Sequence, residues 1–584
     1  MRNLTRDEAR RRAALLDVAS YDVALDLGDD PQGVASFTST SVVRFTSGAG
    51  ETFLELDGEL REATLDGQAL GPAAGNRLPL VLDAGAHEVR VVARCATTRT
   101  GEGLHRFVDP ADGAVYLWSQ SFLDDAQRVF ACFDQPDLKA VVRLTVTAPE
   151  GWTVVANCRG TRAGRRWTFT PTPPVATYLV HVSAGPWHGV RRSAQAGEQR
   201  LELGLWCRRS LAEHLDADAD ELFDVTERCL ALQQELFGRA YPFGDTYEQL
   251  FVPEFNHGAM ENPGAVTFSE DFVHRSRATQ AQRRTRAVVV AHEMAHMWFG
   301  DLVTMRWWDD LWLNESFAEV LGHLTVDRAT GFEGTWTDFC VSRKAWGYRA
   351  DAAPTTHPVS GPVADNRSAL LNFDGISYAK GASVLRQLAV ALGEDVFFAG
   401  VRRYLGAHAW GSTSFADLLE ALEQECGRDL QAWAHDWLRT PGTSVLRPVV
   451  QDDGTVVVVQ DSPVLREHRT ALGRYALRDG ALVREEQVPV LVTGARTTVR
   501  AAPADLLLLN DGDLTFARTR FDARSLVTVV AHLGALADPL ARALCAASLW
   551  DALRDGELPA RQFLAAVHQV LPVERDPGAL EALL

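Results

Sequence analysis

The sequence predicts a multidomain α+β chain, and three observations predict it: the length, a change of hydrophobic period near residue 189, and a second change near residue 440. At about 100 to 200 residues per domain, a chain of 584 residues makes roughly three to five domains, each able to bury its own core. From Ser20 to about Trp187 the pattern alternates with period two in YDVALDL, TSVVRFTS, HEVRVVARC, VRLTVTA and YLVHVSAG, with Gly, Asp and Pro between the runs. Residues 1–188 therefore read as an N-terminal β domain. After Ala212 long helical stretches take over, including EHLDADADELFDVTERCLALQQELFG, RRTRAVVVAHEMAHMWFG and LWLNESFAEVLGHLTVDRATG, so 189–439 reads as a mainly helical domain. Pro441 and Gly442 punctuate the chain, and VVVVQD, ALVREEQVPVLV and DLLLLND restore short strands, a small β-sandwich over 440–520. Residues 521–584 are helical again and stop after about three amphipathic helices. No internal repeat, heptad run or low-complexity tract interrupts this order.

Acids outnumber bases 77 to 58, giving a formal charge of -19 and a pI near 5.3. That balance excludes a nucleic-acid or anionic-membrane partner, whose phosphates would be repelled, and permits a cationic ligand. Only Lys139, Lys344 and Lys380 are lysine; every other basic residue is arginine, as a GC-rich coding sequence would favour. A lysine that survives such pressure is expected where a compact ammonium is needed, set against simple chance survival. The run from Met1 to Leu16 is charged throughout and lacks the apolar segment of a secretory signal, and no run of 18 apolar residues follows, so a cytoplasmic protein with no membrane span is expected. The eight cysteines are scattered with no C-x-x-C pair, as free thiols in a reducing cytosol would be.

The most informative stretch is AHEMAHMWFG. His292 and His296 stand four apart in a helical window, so both imidazoles project from one face, spaced to hold a single ion, with Glu293 beside them. A catalytic zinc needs three protein ligands and an open position. Glu315, with 18 residues between it and His296, supplies the third from a second helix. In such a site the metal polarises a scissile carbonyl and acidifies water, while Glu293 takes the proton and passes it to the leaving amine. The reaction class is metal-assisted amide hydrolysis. A ligand histidine normally donates its other N–H to a carboxylate or carbonyl. Glu319 and Asp327 are the nearest acids on the second helix, each set against a reading as a solvated face.

His292-Glu293-x-x-His296-x18-Glu315, preceded by the GAMEN run Gly258-Ala259-Met260-Glu261-Asn262, resembles the M1 zinc aminopeptidases of the aminopeptidase N group. The likeness extends to YLWSQ and FACFDQPDLKA, to WWDDLWLNESFAE, and to ISYAKGASVL around Tyr378, and covers the chain from near residue 15 to about 520. It implies a saddle-like β domain, a thermolysin-like catalytic domain with one zinc ion, a β-sandwich and a helical C-terminal domain. It further implies that Glu261 binds the α-ammonium of a peptide with a free N-terminus, making the enzyme a broad-specificity exopeptidase acting on cytosolic peptides, as a monomer. The backbone of Gly258 and Ala259 would align the peptide as an added strand, and Asn262 would belong to the same substrate-binding run. Met260 and Gln120 would line the pocket for the first side chain. Tyr378 would be the phenol that donates to the tetrahedral oxygen.

Three departures stand out. Family members commonly read Q-x-E where this chain has Gln120-Ser121-Phe122, so a second acid for the substrate amine is missing, unless Asp124 or Asp125 replaces it. Weaker amine binding follows, and Phe122→Glu is expected to improve kcat/KM. Many members carry an acid seven residues after the third ligand, where this chain has Gly322, so metal affinity or ligand orientation is expected to change. The helical C-terminal region is short, which should expose an apolar face and leave the site wetter and less active than in a full-length relative. Two other readings compete: a non-catalytic or weakly active protein of the same fold, and an epoxide hydrolase of the leukotriene A4 hydrolase type, which usually reads G-G-M-E-N where this chain has Gly258-Ala259.

Overall fold

A computed structural model of the chain describes residues 2–583. The alternating stretch folds into an eight-stranded sheet centred on Leu16–Asp26, which pairs antiparallel with Ser36–Ser47 and parallel with Val141–Thr147. Along Ser36–Ser47 the odd-numbered side chains from Phe37 to Phe45 are buried, as a period of two requires of a sheet with one wet face. A second sheet of four strands includes Val115–Gln120, buried at every position, and this strand carries Gln120 to the site at its C-terminal end. Before the first strand lies a helix, α1 (Arg6–Leu15), which the charged N-terminal run did not suggest. It is held by a capping box between Thr5 and Glu8, and by Arg12, whose guanidinium is buried against Glu55.

The middle of the chain is less helical than its sequence suggests, because it opens on a five-stranded sheet. The order is His188–Ala196, Gln199–Cys207, Thr246–Val252, Ala265–Ser269 and Ala259–Met260. Thr246–Val252 is buried at all its positions and so shows no alternation to read. The GAMEN run supplies the edge strand, Ala259–Met260, paired antiparallel with Phe268 and Thr267. Beside this sheet stand α2 (Ala212–Phe237), α3 (Gln280–Ala295) and α4 (Leu311–Ala329). Every α4 residue from Leu311 to His323 is buried, which makes α4 the core helix of this region.

Further on, a four-stranded and a three-stranded sheet share one apolar cluster that includes Leu446, Val458, Leu472 and Leu509. The helices that follow, beginning with Ala523–His532 and Pro539–Arg554, pack against Leu506 and Leu508 of the second of these sheets. Val527, Trp550 and Leu564 on these helices face solvent. No described helix is long and apolar enough to cross a membrane. All eight cysteines are free, six of them buried.

Each of the three lysines ties separate parts of the chain together. Lys139 donates to the carbonyls of Asp301 (2.9 Å), Leu302 (3.0 Å) and Gly411 (3.4 Å). Lys344 donates to the Asp513 carboxylate and to the Thr515 carbonyl at 2.6 Å. Lys380 reaches both Asp351 carboxylate oxygens at 3.0 Å and the Gly442 carbonyl at 3.2 Å. A small tetrahedral ammonium suits these closed rings of acceptors, where a planar fork would not fit.

Candidate active site

α3 starts on a second capping box, in which Gln282 N donates to Thr279 Oγ1 at 3.2 Å and Thr279 N to Gln282 Oε1 at 2.8 Å. Its apolar residues, among them Val290, Ala291 and Met294, are buried, and this fixes the rotation that brings His292 and Glu293 to the site in the last turn. His296 is the C-cap and keeps helical backbone angles, so its ring stays on the His292 face. The two Nε2 atoms are 3.2 Å apart, and Glu315 Oε2 from α4 lies 3.5 Å from His292 Nε2 and 3.6 Å from His296 Nε2. A tetrahedral zinc ion with ligand bonds of about 2.0–2.2 Å spaces its donors about 3.3–3.6 Å apart. The triangle of donors therefore fits a zinc ion, and the donor types, two imidazoles and a carboxylate, suit it.

The rings are oriented by their outer nitrogens. His296 Nδ1 faces the Phe299 carbonyl at 3.0 Å, which places the proton there and leaves Nε2 as the lone-pair donor. His292 Nδ1 faces Glu319 Oε2 at 3.7 Å. Of the two acids weighed on α4, Glu319 is therefore the partner, while Asp327 is exposed. Glu319 also accepts from Arg343 Nε and Nη2, both at 2.7 Å. Burial works against a charge on Glu319, but Arg343 and His323 outweigh it and hold its carboxyl at about 2. Burial at Glu315 is likewise outweighed, by the adjoining imidazoles of His292 and His296, which hold its carboxyl at about 2. Burial pushes the Glu293 carboxyl up, with Glu261 and Glu315 adding to the effect.

The acid that is missing at Gly322 is thus replaced one turn earlier by Glu319, and Gly322 has a different reason to be glycine. A Cβ there would come within 2.9 Å of the Val288 carbonyl and 3.2 Å of His292 N, so any side chain would push α4 off the metal-motif helix.

Gln120, Gly258, Ala259, Met260, Glu261, Glu293 and Tyr378 line one cavity of about 1110 Å³ together with the three metal donors. Glu261 is 7% exposed, and its carboxylate lies within 4.8 Å of donor atoms of Glu293 and His296. Asn262 departs from its expected role. Its buried amide donates to the Leu179 carbonyl (3.3 Å) and accepts from Thr267 (3.2 Å), so it pins the strand instead of facing the cavity. Tyr378 sits in a π-helical turn, Ile376–Lys380, with its ring parallel to His292 at 6.3 Å. Ser316, next to Glu315, donates to the Ser377 carbonyl at 2.6 Å and fastens that turn to α4. Burial and the nearby carboxylates keep the phenol neutral well past its ordinary range.

Phe122 also lines the cavity, its ring edge-on to Tyr178, Trp308 and Phe373 at 5.2–5.6 Å. Neither aspartate replaces the acid absent there. Asp124 accepts from Asn366 at 2.9 Å, and Asp125 pairs with Arg128. Arg343 joins the lining without having been singled out in the sequence, since one arginine among so many carries no signal.

The description "Peptidase family M1 domain" matches residues 221–437, "Peptidase M1 N-terminal domain" matches 90–179, and "ERAP1-like C-terminal domain" matches 506–584. "Aminopeptidase N" of Lactococcus lactis subsp. lactis is 34% identical over 356 residues, 59% of this chain and 41% of that protein. "Aminopeptidase N" of Rattus norvegicus is 35% identical over 334 residues, 54% of this chain and 34% of that protein. "Aminopeptidase N" of Streptomyces lividans is 47% identical over 613 residues, covering all of this chain and 71% of that protein. With a likeness of that depth along its whole length, the chain belongs to peptidase family M1 as a metalloaminopeptidase of the aminopeptidase N type.

Proposed function

We propose that the chain is a zinc-dependent aminopeptidase that removes single N-terminal residues of varied kinds from peptides with a free α-ammonium. The observation that carries this reading is the meeting, in one cavity, of a tetrahedral donor triangle and a buried acid, Glu261, within 4.8 Å of His296. A bound zinc ion, held by His292, His296 and Glu315, would supply Lewis acidity toward a carbonyl and toward water. Glu261 anchors the ammonium by a charge-assisted hydrogen bond, which leaves room for one residue before the scissile bond. Ala259–Met260 is the edge strand of its sheet, which lets the substrate backbone dock as a further strand. Glu293 takes a proton from the attacking water and gives it to the departing amine. Tyr378 donates its hydroxyl proton in a hydrogen bond to the oxygen on which charge develops. We read the architecture as the family's saddle, thermolysin-like, β-sandwich and C-terminal helical domains at 1–188, 189–439, 440–520 and 521–584. The eight free cysteines support a reducing, cytoplasmic setting.

The test uses alanyl, leucyl and arginyl p-nitroanilides beside their N-acetyl forms, on zinc-loaded and chelator-stripped protein. Free substrates should be cleaved and acetylated ones refused, and stripping should abolish turnover until zinc is returned. Zinc-loaded protein without turnover would favour the non-catalytic reading.

Phe122→Glu is expected to lower KM by giving the ammonium a second carboxylate. It should also lower stability by about 1.5–3 kcal/mol, the burial the ring loses among its aromatic neighbours. Michaelis kinetics and denaturant melts on the same sample check both halves.

A further inference from the structure

The cleft continues beyond the metal donors. α3 ends at the site and α4 begins there, so the way out runs back along α3 and forward along α4. Thr285, Val288 and Val289 on α3, and Glu319 and His323 on α4, line that stretch. Its further wall is a six-residue π-helical turn, Phe339–Lys344, which presents Val341, Ser342 and Arg343. Among the described lining residues Arg343 is the only lysine or arginine; apart from histidines, every other charged lining residue is an acid.

Arg343 is placed one step past the metal. Glu319, whose Oε2 is 3.7 Å from His292 Nδ1, takes Arg343 Nε and Nη2 at 2.7 Å. The guanidinium also lies 4.9 Å over the Trp346 ring and 6.0 Å from the centre of Tyr378. Its side chain is 35% exposed, and no described residue accepts from Nη1. One planar group is thus fixed by Glu319 and Trp346 with a donor left over for the cavity. An extended peptide advances about 3.3 Å per residue, so its first carbonyl after the scissile bond needs a donor just past the metal ligands, and Arg343, joined to His292 through Glu319, is the lining base on that side.

We propose that Arg343 is a substrate-binding residue that donates, through Nη1, to the carbonyl oxygen of the residue following the scissile bond. In a dipeptide that oxygen belongs to the terminal carboxylate, which otherwise meets only acids and histidines among the charged groups of the cleft. Arg343 is therefore what admits short peptides with a free C-terminus. This rests on the aminopeptidase reading above.

The experiment compares alanyl-alanine, alanyl-alanine amide and alanyl-p-nitroanilide on the zinc-loaded wild type, Arg343→Met and Arg343→Lys. The p-nitroanilide has no main-chain carbonyl after the scissile nitrogen, so its loss measures whatever Arg343 does through Glu319 and His292. Arg343→Met should lower kcat/KM for the dipeptide by about 10- to 100-fold more than for the p-nitroanilide, the worth of one hydrogen bond to a charged group. The amide should fall between, and Arg343→Lys should recover part of the dipeptide loss. Equal losses on all three substrates would overturn the proposal and leave Arg343 as a support for Glu319. Should Arg343→Met fail to fold, the wild type still decides: the free dipeptide must bind at least as tightly as its amide, and much weaker binding overturns the proposal. Absence of p-nitroanilide cleavage by the wild type would instead remove the reading beneath it.

Discussion

Glu293→Gln is expected to lower kcat by about 100- to 10,000-fold, the range spanned by a positioned general acid–base group. Glutamine keeps the shape of the side chain and its place in the last turn of α3, so the neighbouring His292 and His296 keep their rings. What it loses is the ability to take a proton. Glu293 is only 6% exposed and lines the cavity beside Glu261, where burial raises the proton affinity of its carboxylate. A carboxylate with raised proton affinity takes the proton of the attacking water more readily and holds it until the amine departs, which suits a residue that must both accept and deliver. The measurement is kcat for alanyl-p-nitroanilide with zinc content determined on the same protein. Zinc-loaded Glu293→Gln retaining more than a tenth of the rate would exclude Glu293 as the base.

Tyr378→Phe is expected to cost about 100- to 1000-fold in kcat with KM little changed, because the hydroxyl contributes only where negative charge has developed. The ring itself is held by packing with Trp346 and Phe373 at 6.0 and 6.3 Å, which phenylalanine preserves. The turn that carries it is fixed from two sides, by Ser316 on α4 and by Lys380 on Asp351. A loss confined to KM would assign the hydroxyl to ground-state binding instead.

What could be read from the sequence was what is local. His292, Glu293 and His296 are one helical turn apart, so their common face follows from 3.6 residues per turn, and Glu315 follows from the need for a third ligand. The strands of the first sheet are legible because one of its faces is wet and the side chains alternate. Thr246–Val252 is buried on both faces and offers no such alternation, so the sheet that carries the GAMEN edge strand was missed. α1 was missed because its packing depends on Arg12 meeting Glu55, a contact across 43 positions. Arg343 was out of reach for the same reason: 24 positions separate it from Glu319, and its residue type is the commonplace base of this chain. Gly322 was visible as a departure, but its cause is the closeness of α3, which no single sequence displays.

The three lysines carry a last consequence. Lys344 and Lys380 are 1% and 0% exposed, and Lys139 gives its amine to three carbonyls. Two of the three side-chain amines are thus closed to solvent and the third, on the partly buried Lys139, is tied to three carbonyls, although the chain carries dozens of guanidinium groups. Reagents that acylate or cross-link amines would find Lys344 and Lys380 only when the π-helical turns and the following β region part from one another. Chemical labelling of Lys344 and Lys380 would therefore act as a clock for the opening of these internal seams.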